Sequence, residues 1–216
     1  MARRQPHKKA KKKVAKKTVA KVMEKPLTIM VSSTVYGAES DLDSIYAILK
    51  GFGYNVVMSK EGTVYIPAGM SPEEACMQAV KDCDLFLGII FPRYGSGITH
   101  KEFKKAIELK KPRWFIAHHY VTFAREILKQ YMFRGKRRNR KFVFRKTGAM
   151  DNIKVIDMYN DAILNEIPVA DRKSNWAQPF FKTPEIMLFL ETQFKDVSKR
   201  RQELSEMSKN IKEVKK

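Results

Sequence analysis

Four apolar runs constrain the fold of this chain more than any other feature of the sequence. They occupy residues 27–31, 54–57, 85–90 and 114–117, and segments with helical spacing of apolar residues separate them. Strands that alternate with helices form a parallel sheet. Because these runs show no polar alternation, both faces of that sheet are expected to be covered. The sequence therefore predicts an α/β fold, with a parallel sheet of four to five strands and helices on both faces.

The helices that accompany the apolar runs are expected at residues 38–50, 71–82, 98–111 and 122–132. The second of these has the clearest start, since a serine suited to the N-cap is followed by a proline and two glutamates. A long loop, residues 58–70, precedes it. This order of strands and helices is typical of an open, doubly wound sheet.

The C-terminal part of the chain has a different pattern. Residues 152–165 are predicted to be helical, residues 167–183 to be an irregular link, and residues 184–214 to form one long helix. Apolar residues recur every seven positions in that helix: Leu190, Val197, Leu204 and Ile211. Such spacing is typical of a coiled-coil dimer, and it fits equally a helix that packs back on its own domain. Both interpretations stay open at this point.

The net charge of +20 is concentrated in two segments. Residues 1–25 contain eleven Lys or Arg residues and one acid, and residues 129–146 contain nine with no acid. The first segment is too repulsive and too poor in large apolar residues to fold, so a disordered tail is predicted. Both segments could attract nucleic acid through counterion release, or could simply be solvated. A short strand is predicted at residues 142–144, inside the second segment.

The cysteines and the hydropathy pattern indicate a cytoplasmic protein. Cys76 and Cys83 are the only two cysteines, and their separation along a predicted helix is too long for a disulfide, so free thiols are expected. No apolar run approaches the roughly 20 residues of a membrane span, and no hydrophobic secretory signal is found. The spacing around His118 and His119 does not resemble a metal site, so no metal is expected.

Small polar residues follow two of the predicted strands. Ser32, Ser33 and Thr34 end the first strand, and a loop follows the third: Tyr94, Gly95, Ser96 and Gly97. In a doubly wound sheet the first and third strands flank the switch point, where ligands bind. Because hydroxyls and glycine amides suit ribose and phosphate groups, these seven residues are the candidate nucleotide-binding set.

Glu102 is the candidate catalytic residue. It is expected in the first turn of the helix that follows the Tyr94 loop. A carboxylate at this place can attack or stabilise an oxocarbenium-like sugar carbon, or bind ribose hydroxyls. Alternatively, it only favours its helix N-terminus electrostatically. The absence of G-x-G-x-x-G and of G-x-x-x-x-G-K-[ST] argues against a dinucleotide dehydrogenase and a P-loop NTPase.

Three segments resemble a known family: T-I-M-V-S-S-T-V-Y-G, A-V-K-D-C-D-L-F-L-G-I-I and R-Y-G-S-G-I-T-H-K-E-F. They look like domain-of-unknown-function family 4062, which is similar to TIR domains and nucleoside 2-deoxyribosyltransferases, over residues 27–120. The resemblance implies a flavodoxin-like, TIR-like sheet, and a glutamate at Glu102 that works on an N-glycosidic bond. Ile98 and Thr99 stand where TIR enzymes often have Trp-Cys.

These observations divide the chain into a lysine-rich tail (1–26), a TIR-like nucleotide-binding domain (27–150) and a helical extension (151–216). The leading hypothesis is cleavage of NAD or a related nucleotide through Glu102, with the nucleotide as substrate and no separate cofactor. The first alternative is a non-catalytic signalling or assembly module that recognises a nucleotide, with a homo-oligomer through residues 184–214. The second is a nucleic-acid-associated protein that uses residues 1–25 and 129–146.

Overall fold

The computed structural model describes residues 25–135, 137–173 and 175–214, with side chains as far as Met207. The predicted tail, residues 1–26, therefore lies almost entirely outside the described residues. The strands are β1 (Thr28–Ser33), β2 (Asn55–Val57), β3 (Leu85–Ile90), β4 (Arg113–His118), β5 (Phe133–Arg134), β6 (Arg137–Arg138) and β7 (Ala177–Phe180). The helices are α1 (Glu39–Gly51), α2 (Pro72–Asp82), α3 (Ile98–Glu108), α4 (His119–Met132), α5 (Lys154–Ala162), α6 (Thr183–Phe194) and α7 (Val197–Val214).

Five of these strands form a single parallel sheet in the order β2-β1-β3-β4-β7. After β1, the chain first adds β2 on one side of it and then β3 on the other side. The carboxyl ends of β1 and β3 therefore form the switch point of the sheet. The order is that of the flavodoxin-like fold. The predicted fold class is therefore confirmed.

Helices cover both faces of the sheet, because alternate strand residues point to opposite sides. On one side, Ile29, Val31 and Leu87 pack with α1 and α6. On the other side, Met30 and Phe86 pack with α2, α3, α4 and α5. Every residue of β3 is buried. This run therefore lacks polar alternation because both faces of the strand are covered, as expected.

The fifth strand corrects the sequence interpretation of residues 167–183 as an irregular link. Ala177–Phe180 pairs in parallel with β4, with Pro179 opposite Ala117. Proline lacks an amide donor and argues against a central strand, but an edge strand tolerates it. Residues beyond 150 thus complete the sheet.

The strand predicted at residues 142–144 is not observed. The basic segment instead forms a short antiparallel hairpin, β5–β6.

The long C-terminal helix is interrupted at Lys195 and Asp196, which separate α6 from α7. Ile186, Leu190 and Phe194 are buried in the core on the α1 side of the sheet. The Tyr54 hydroxyl donates to the Phe194 carbonyl at 3.0 Å. Three members of the seven-residue pattern, Leu190, Val197 and Leu204, therefore pack against the chain's own core, and the coiled-coil dimer stays a prediction.

Two further expectations concern cysteines and membranes. Cys76 and Cys83 are both buried and free, as predicted. Among the described helices, none is both long enough and apolar enough to cross a membrane.

Gly88 in β3 allows α3 to lie close to the sheet. A β-carbon at this position would stand 2.6 Å from the Phe115 ring and 2.7 Å from the Phe103 ring. These distances leave no space for a methyl group. Gly88 therefore leaves room for the Phe103 ring of α3 and the Phe115 ring of β4 to pack directly against β3.

We expect Gly88→Ala to reduce the free energy of unfolding by about 1–3 kcal/mol, because the added methyl forces the two rings apart. Urea unfolding followed by circular dichroism measures this change. Gly51→Ala is the matched control, since a β-carbon there meets nothing within 4 Å. Equal stability of the two variants would contradict the role of Gly88.

Candidate functional site

A cleft of about 320 Å³ lies at the carboxyl ends of β1 and β3. Its walls come from the end of β1 and the loop after it, from the segments that follow β2 and β3, and from α1, α2 and α3. The predicted residues that line it are Ser32, Ser33, Thr34, Tyr94, Gly95, Ser96 and Glu102. Gly97 lies next to them, as the N-cap residue of α3. The structure thus brings the candidate residues together at the switch point.

Glu102 lies deeper than the sequence analysis expects. It is the fifth residue of α3, so it belongs to the second turn and not to the first. Only 3% of its surface is exposed, and its carboxylate accepts a hydrogen bond from the Ser32 hydroxyl. Because the helix dipole acts mainly on the first turn, a dipole effect alone does not explain this buried, hydrogen-bonded placement.

Cys76 is a second partner of the Glu102 carboxylate, and sequence reasoning missed it. Its thiol hydrogen-bonds Glu102, and its sulfur lies 3.6 Å from the Ser59 hydroxyl oxygen. Burial first, and the Glu102 charge second, raise the pKa of the Cys76 thiol to about 11. Cys76 is therefore a protonated donor near neutral pH and not a nucleophile.

The Glu102 carboxyl is subject to opposing effects. Burial raises its pKa above the ordinary value of 4.5, while the hydrogen bonds from Ser32 and Cys76 act in the opposite direction. Burial is the largest of these effects, so the net shift is upward. A carboxylate of this kind is more basic than one in water, and two donors fix its orientation.

Thr34 provides an unsatisfied hydroxyl in the cleft. Its side-chain oxygen is buried and has no hydrogen-bond partner among the described residues. A buried polar atom left in this state costs about 1–3 kcal/mol. Because Thr34 lines the cleft, a polar atom of a ligand is the partner that this position suits.

The loop between β3 and α3 depends on two glycines in the left-handed backbone region. Gly95 has a φ of +59° and Gly97 a φ of +84°. A β-carbon on Gly95 would lie 3.0 Å from the Thr34 methyl group. These glycines therefore allow both the turn and its close contact with the loop after β1.

Three residues that the sequence analysis did not identify hold Tyr94 in place. The Tyr94 amide donates to Asp151 at 2.9 Å, and its hydroxyl hydrogen-bonds Nδ1 of His100 at 2.9 Å. Nε2 of His100 bonds Asp161 at 2.8 Å. His100 foremost, and Lys104, keep the pKa of Asp161 below its ordinary value. Since Asp151 and Asp161 come from beyond β4, local sequence patterns gave no signal for them.

The two helices that begin at the cleft differ in charge. The first turn of α3 contains no acid, and its N-cap residue, Gly97, has no side chain that could cap the helix. The first turn of α1 contains Glu39 and Asp41. Among the described residues that line the cleft, Lys60 is the single cation, and it pairs with Asp43 and Glu61. The α3 end is therefore the better place for an anion.

No group of three or more His, Cys, Asp or Glu residues suited to a metal ion is found within the described ranges. His118 accepts a hydrogen bond from the Tyr120 amide and caps α4, outside the cleft lining. The cleft therefore offers hydroxyl, amide, thiol and carboxylate groups for binding and reaction.

A family model described as "Domain of unknown function (DUF4062)" matches residues 28–172. The chain belongs to DUF4062. The resemblance noted in the sequence is thereby confirmed, and the DUF4062 match extends through α5 and ends just before β7. No curated protein matches the chain.

One similar solved structure is a 2-desoxiribosyltransferase from Leishmania mexicana, with 16% sequence identity and a TM-score of 0.38. The likeness covers 63% of this chain and 97% of the other. The fold of this DUF4062 protein is assigned from its strand order and not from that likeness.

Burial of Glu102 predicts a pH-dependent stability. Its pKa in the folded state lies above that in the unfolded chain, so folding favours the protonated form. At pH values below the pKa of Glu102 in the unfolded chain, wild type has its full stability. It loses part of that stability as the pH rises through the pKa of Glu102 in the folded protein. Glu102→Gln removes this loss, and we expect its stability relative to wild type to increase as the pH rises above the ordinary carboxyl pKa of 4.5.

Urea unfolding across this pH range provides the measurement. Glu108→Gln is the control, because Glu108 is an exposed glutamate at the end of the same helix. A constant difference between Glu102→Gln and wild type at all pH values would argue against the shifted pKa.

Proposed function

We propose that this DUF4062 protein binds a nucleotide in the cleft and cleaves its N-glycosidic bond through Glu102. One observation carries the proposal: a buried carboxylate of raised pKa, held by two neutral donors, lines a cleft at the switch point of the sheet. Carboxylates that act on sugar carbons need a fixed orientation and a desolvated position. The hydrogen bond from Ser32 fixes the orientation of the Glu102 carboxylate, and the packing of α3 keeps it away from water.

The proposed step is nucleophilic. The Glu102 carboxylate attacks C1′ of the ribose, the bond from C1′ to the base nitrogen breaks, and the bonding electrons leave with the base. For NAD, nicotinamide leaves as a neutral molecule and requires no proton. Water then hydrolyses the ester between Glu102 and the sugar, which frees the carboxylate.

Binding of the substrate follows from the groups around the carboxylate. The acid-free N-terminus of α3 and the amides of the Gly95 loop suit a phosphate. The unpartnered Thr34 hydroxyl suits a ribose hydroxyl. At about 320 Å³ the cleft is at the small end of ligand sites, which span roughly 300–1,000 Å³. One nucleoside unit fits this volume, and the remainder of a dinucleotide would lie outside.

A second candidate function is recognition of a nucleotide without reaction, as in a signalling or assembly module. The observation that favours it is the low exposure of Glu102 and its two existing donors. A carboxylate engaged in this way stabilises the loop after β1 even if it never contacts a sugar carbon. This candidate predicts tight binding of a nucleotide with no release of its base.

Glu102→Gln is expected to lower base release by roughly a thousandfold or more, because the amide cannot act as the nucleophile. Purified protein is incubated with NAD, and separately with 2′-deoxynucleosides, and the free base is measured by chromatography. Glu108→Gln should retain full activity. Equal turnover by wild type and Glu102→Gln would refute the role of Glu102, and nucleotide binding without product in wild type would establish the second candidate.

Ser32→Ala tests how the carboxylate is tuned. The Ser32 hydrogen bond lowers the pKa of Glu102, so its removal raises that pKa. The acidic limb of the pH–rate profile, which requires the ionised carboxylate, should therefore move to higher pH. Ser33→Ala is the matched control, because the Ser33 hydroxyl donates to the Thr34 carbonyl and not to Glu102. An unchanged acidic limb would contradict this tuning.

A further inference from the structure

Helix α4 presents an apolar stripe to solvent. Tyr120, Phe123, Ile127 and Tyr131 follow one another at intervals of three, four and four residues, so they share one side of the helix. Each is between 46% and 56% exposed. Exposed apolar patches of this kind mark interaction surfaces in globular proteins.

The stripe does not contribute to the core. Other α4 residues do so: Val121 and Met132 are fully buried, and Ala124 and Leu128 pack against Met132. The helix is thereby held to the sheet and to α5 without the exposed rings. Removal of those rings should therefore leave the fold intact.

A cluster of arginines lies at the C-terminal end of the stripe. The β5–β6 hairpin follows α4 directly, and the Asn139 amide donates to the Met132 carbonyl at 2.7 Å. The Asn139 side chain also donates to the Tyr131 carbonyl at 2.9 Å. These bonds fold the hairpin back on the last turn of α4. The exposed arginines of this segment, which follows Tyr131 in the chain, are Arg134, Arg137, Arg138 and Arg140.

The charge of this surface is largely uncompensated. Of the hairpin arginines, Arg138 pairs with Asp157. Within the part of the chain that the structure describes, no ion pair involves Arg134, Arg137 or Arg140. The single acid of α4, Glu126, is engaged by Arg125.

We propose that the α4 stripe and the hairpin bind single-stranded nucleic acid, with bases stacked on the rings and phosphates held by the arginines. Three of the four stripe residues are aromatic, and adjacent cations complement a polyanion, which is the combination that binds single strands. From Tyr120 to Tyr131 the helix rises about 16.5 Å, the length of roughly five stacked bases at about 3.4 Å each.

Two other occupants fit this surface less well. A second copy of the chain offers the hairpin no acidic partner. Packed parallel, it would bring the like-charged hairpins together, and packed antiparallel, it would place each hairpin beside the acid-free first turn of the other α4. An anionic membrane favours Trp, Phe and aliphatic side chains that insert between lipids, whereas two of the four stripe residues, Tyr120 and Tyr131, carry polar hydroxyls. Nucleic acid uses both the rings and the charge. The site is separate from the cleft and does not depend on the function proposed for Glu102.

The experiment compares two labelled oligomers with the same number of phosphates, about twelve. One is an oligouridylate, and the other is abasic. Fluorescence anisotropy with the full chain should show roughly tenfold or tighter binding of the oligouridylate. Electrostatic attraction by the lysine-rich segment 1–25 acts on both oligomers alike, so it cancels in the ratio of their affinities. Oligothymidylate with its own abasic control tells whether DNA serves as well.

Variants locate the site. Tyr120→Ala, Phe123→Ala and Tyr131→Ala should each weaken oligouridylate binding roughly fivefold or more, with little change for the abasic oligomer. Tyr65→Ala is the control, since Tyr65 is an exposed tyrosine in the loop after β2, which is the edge strand opposite β7. Arg134→Ser with Arg137→Ser should reduce the salt dependence for both oligomers.

Four results would overturn the proposal. They are no binding of either oligomer, equal affinity for both, an unchanged preference in all three ring variants, or binding confined to vesicles of anionic phospholipid. The ring variants should match wild type in urea unfolding, so that a lost preference reports the surface and not the fold.

Discussion

The close approach of α3 to the sheet at Gly88 governs the placement of the candidate site. Gly88 lies opposite Ser32 in the register of β1 and β3. Because Gly88 has no side chain, the Phe103 ring packs against the strand, and the preceding residue, Glu102, lies beside Ser32. The hydrogen bond from Ser32 to Glu102 thus depends on a glycine one strand away. A larger residue at position 88 would lift α3 and separate the carboxylate from its donor.

The burial of Glu102 costs folding free energy and at the same time makes its carboxylate more basic. Burial disfavours the charged carboxylate, and the Ser32 hydroxyl and Cys76 thiol offset part of that penalty. The high pKa of Cys76 keeps the thiol protonated, so it remains a donor and does not compete as a nucleophile. A group that is costly to bury and fixed by neutral donors is typical of sites where pKa values are tuned for reaction. The unpartnered Thr34 hydroxyl in the same cleft adds a second cost that a ligand would relieve.

The sequence predicts the parts of this arrangement that depend on local patterns. The buried strands give the sheet, and the switch-point rule places Ser32 opposite the Tyr94 loop. The first-turn assignment of Glu102 was wrong for another reason: the predicted helix start at residue 98 agrees with the structure, and the fifth residue of a helix already belongs to its second turn. Cys76 was missed because its partner lies on another helix. The strand at Pro179 was missed because edge position, which makes proline acceptable, is a property of the whole sheet.

The charge of the chain and the chemistry of the cleft are spatially separate. Lys60 in the cleft is neutralised by two acids, whereas the described arginines of the hairpin have one acidic partner, Asp157. Like charges held together on a short hairpin destabilise the folded state through mutual repulsion. Nothing in the packing of α4 requires them, since its buried face is apolar. A polyanion would relieve this repulsion and cover the exposed rings, so one ligand accounts for two features that folding alone leaves unexplained.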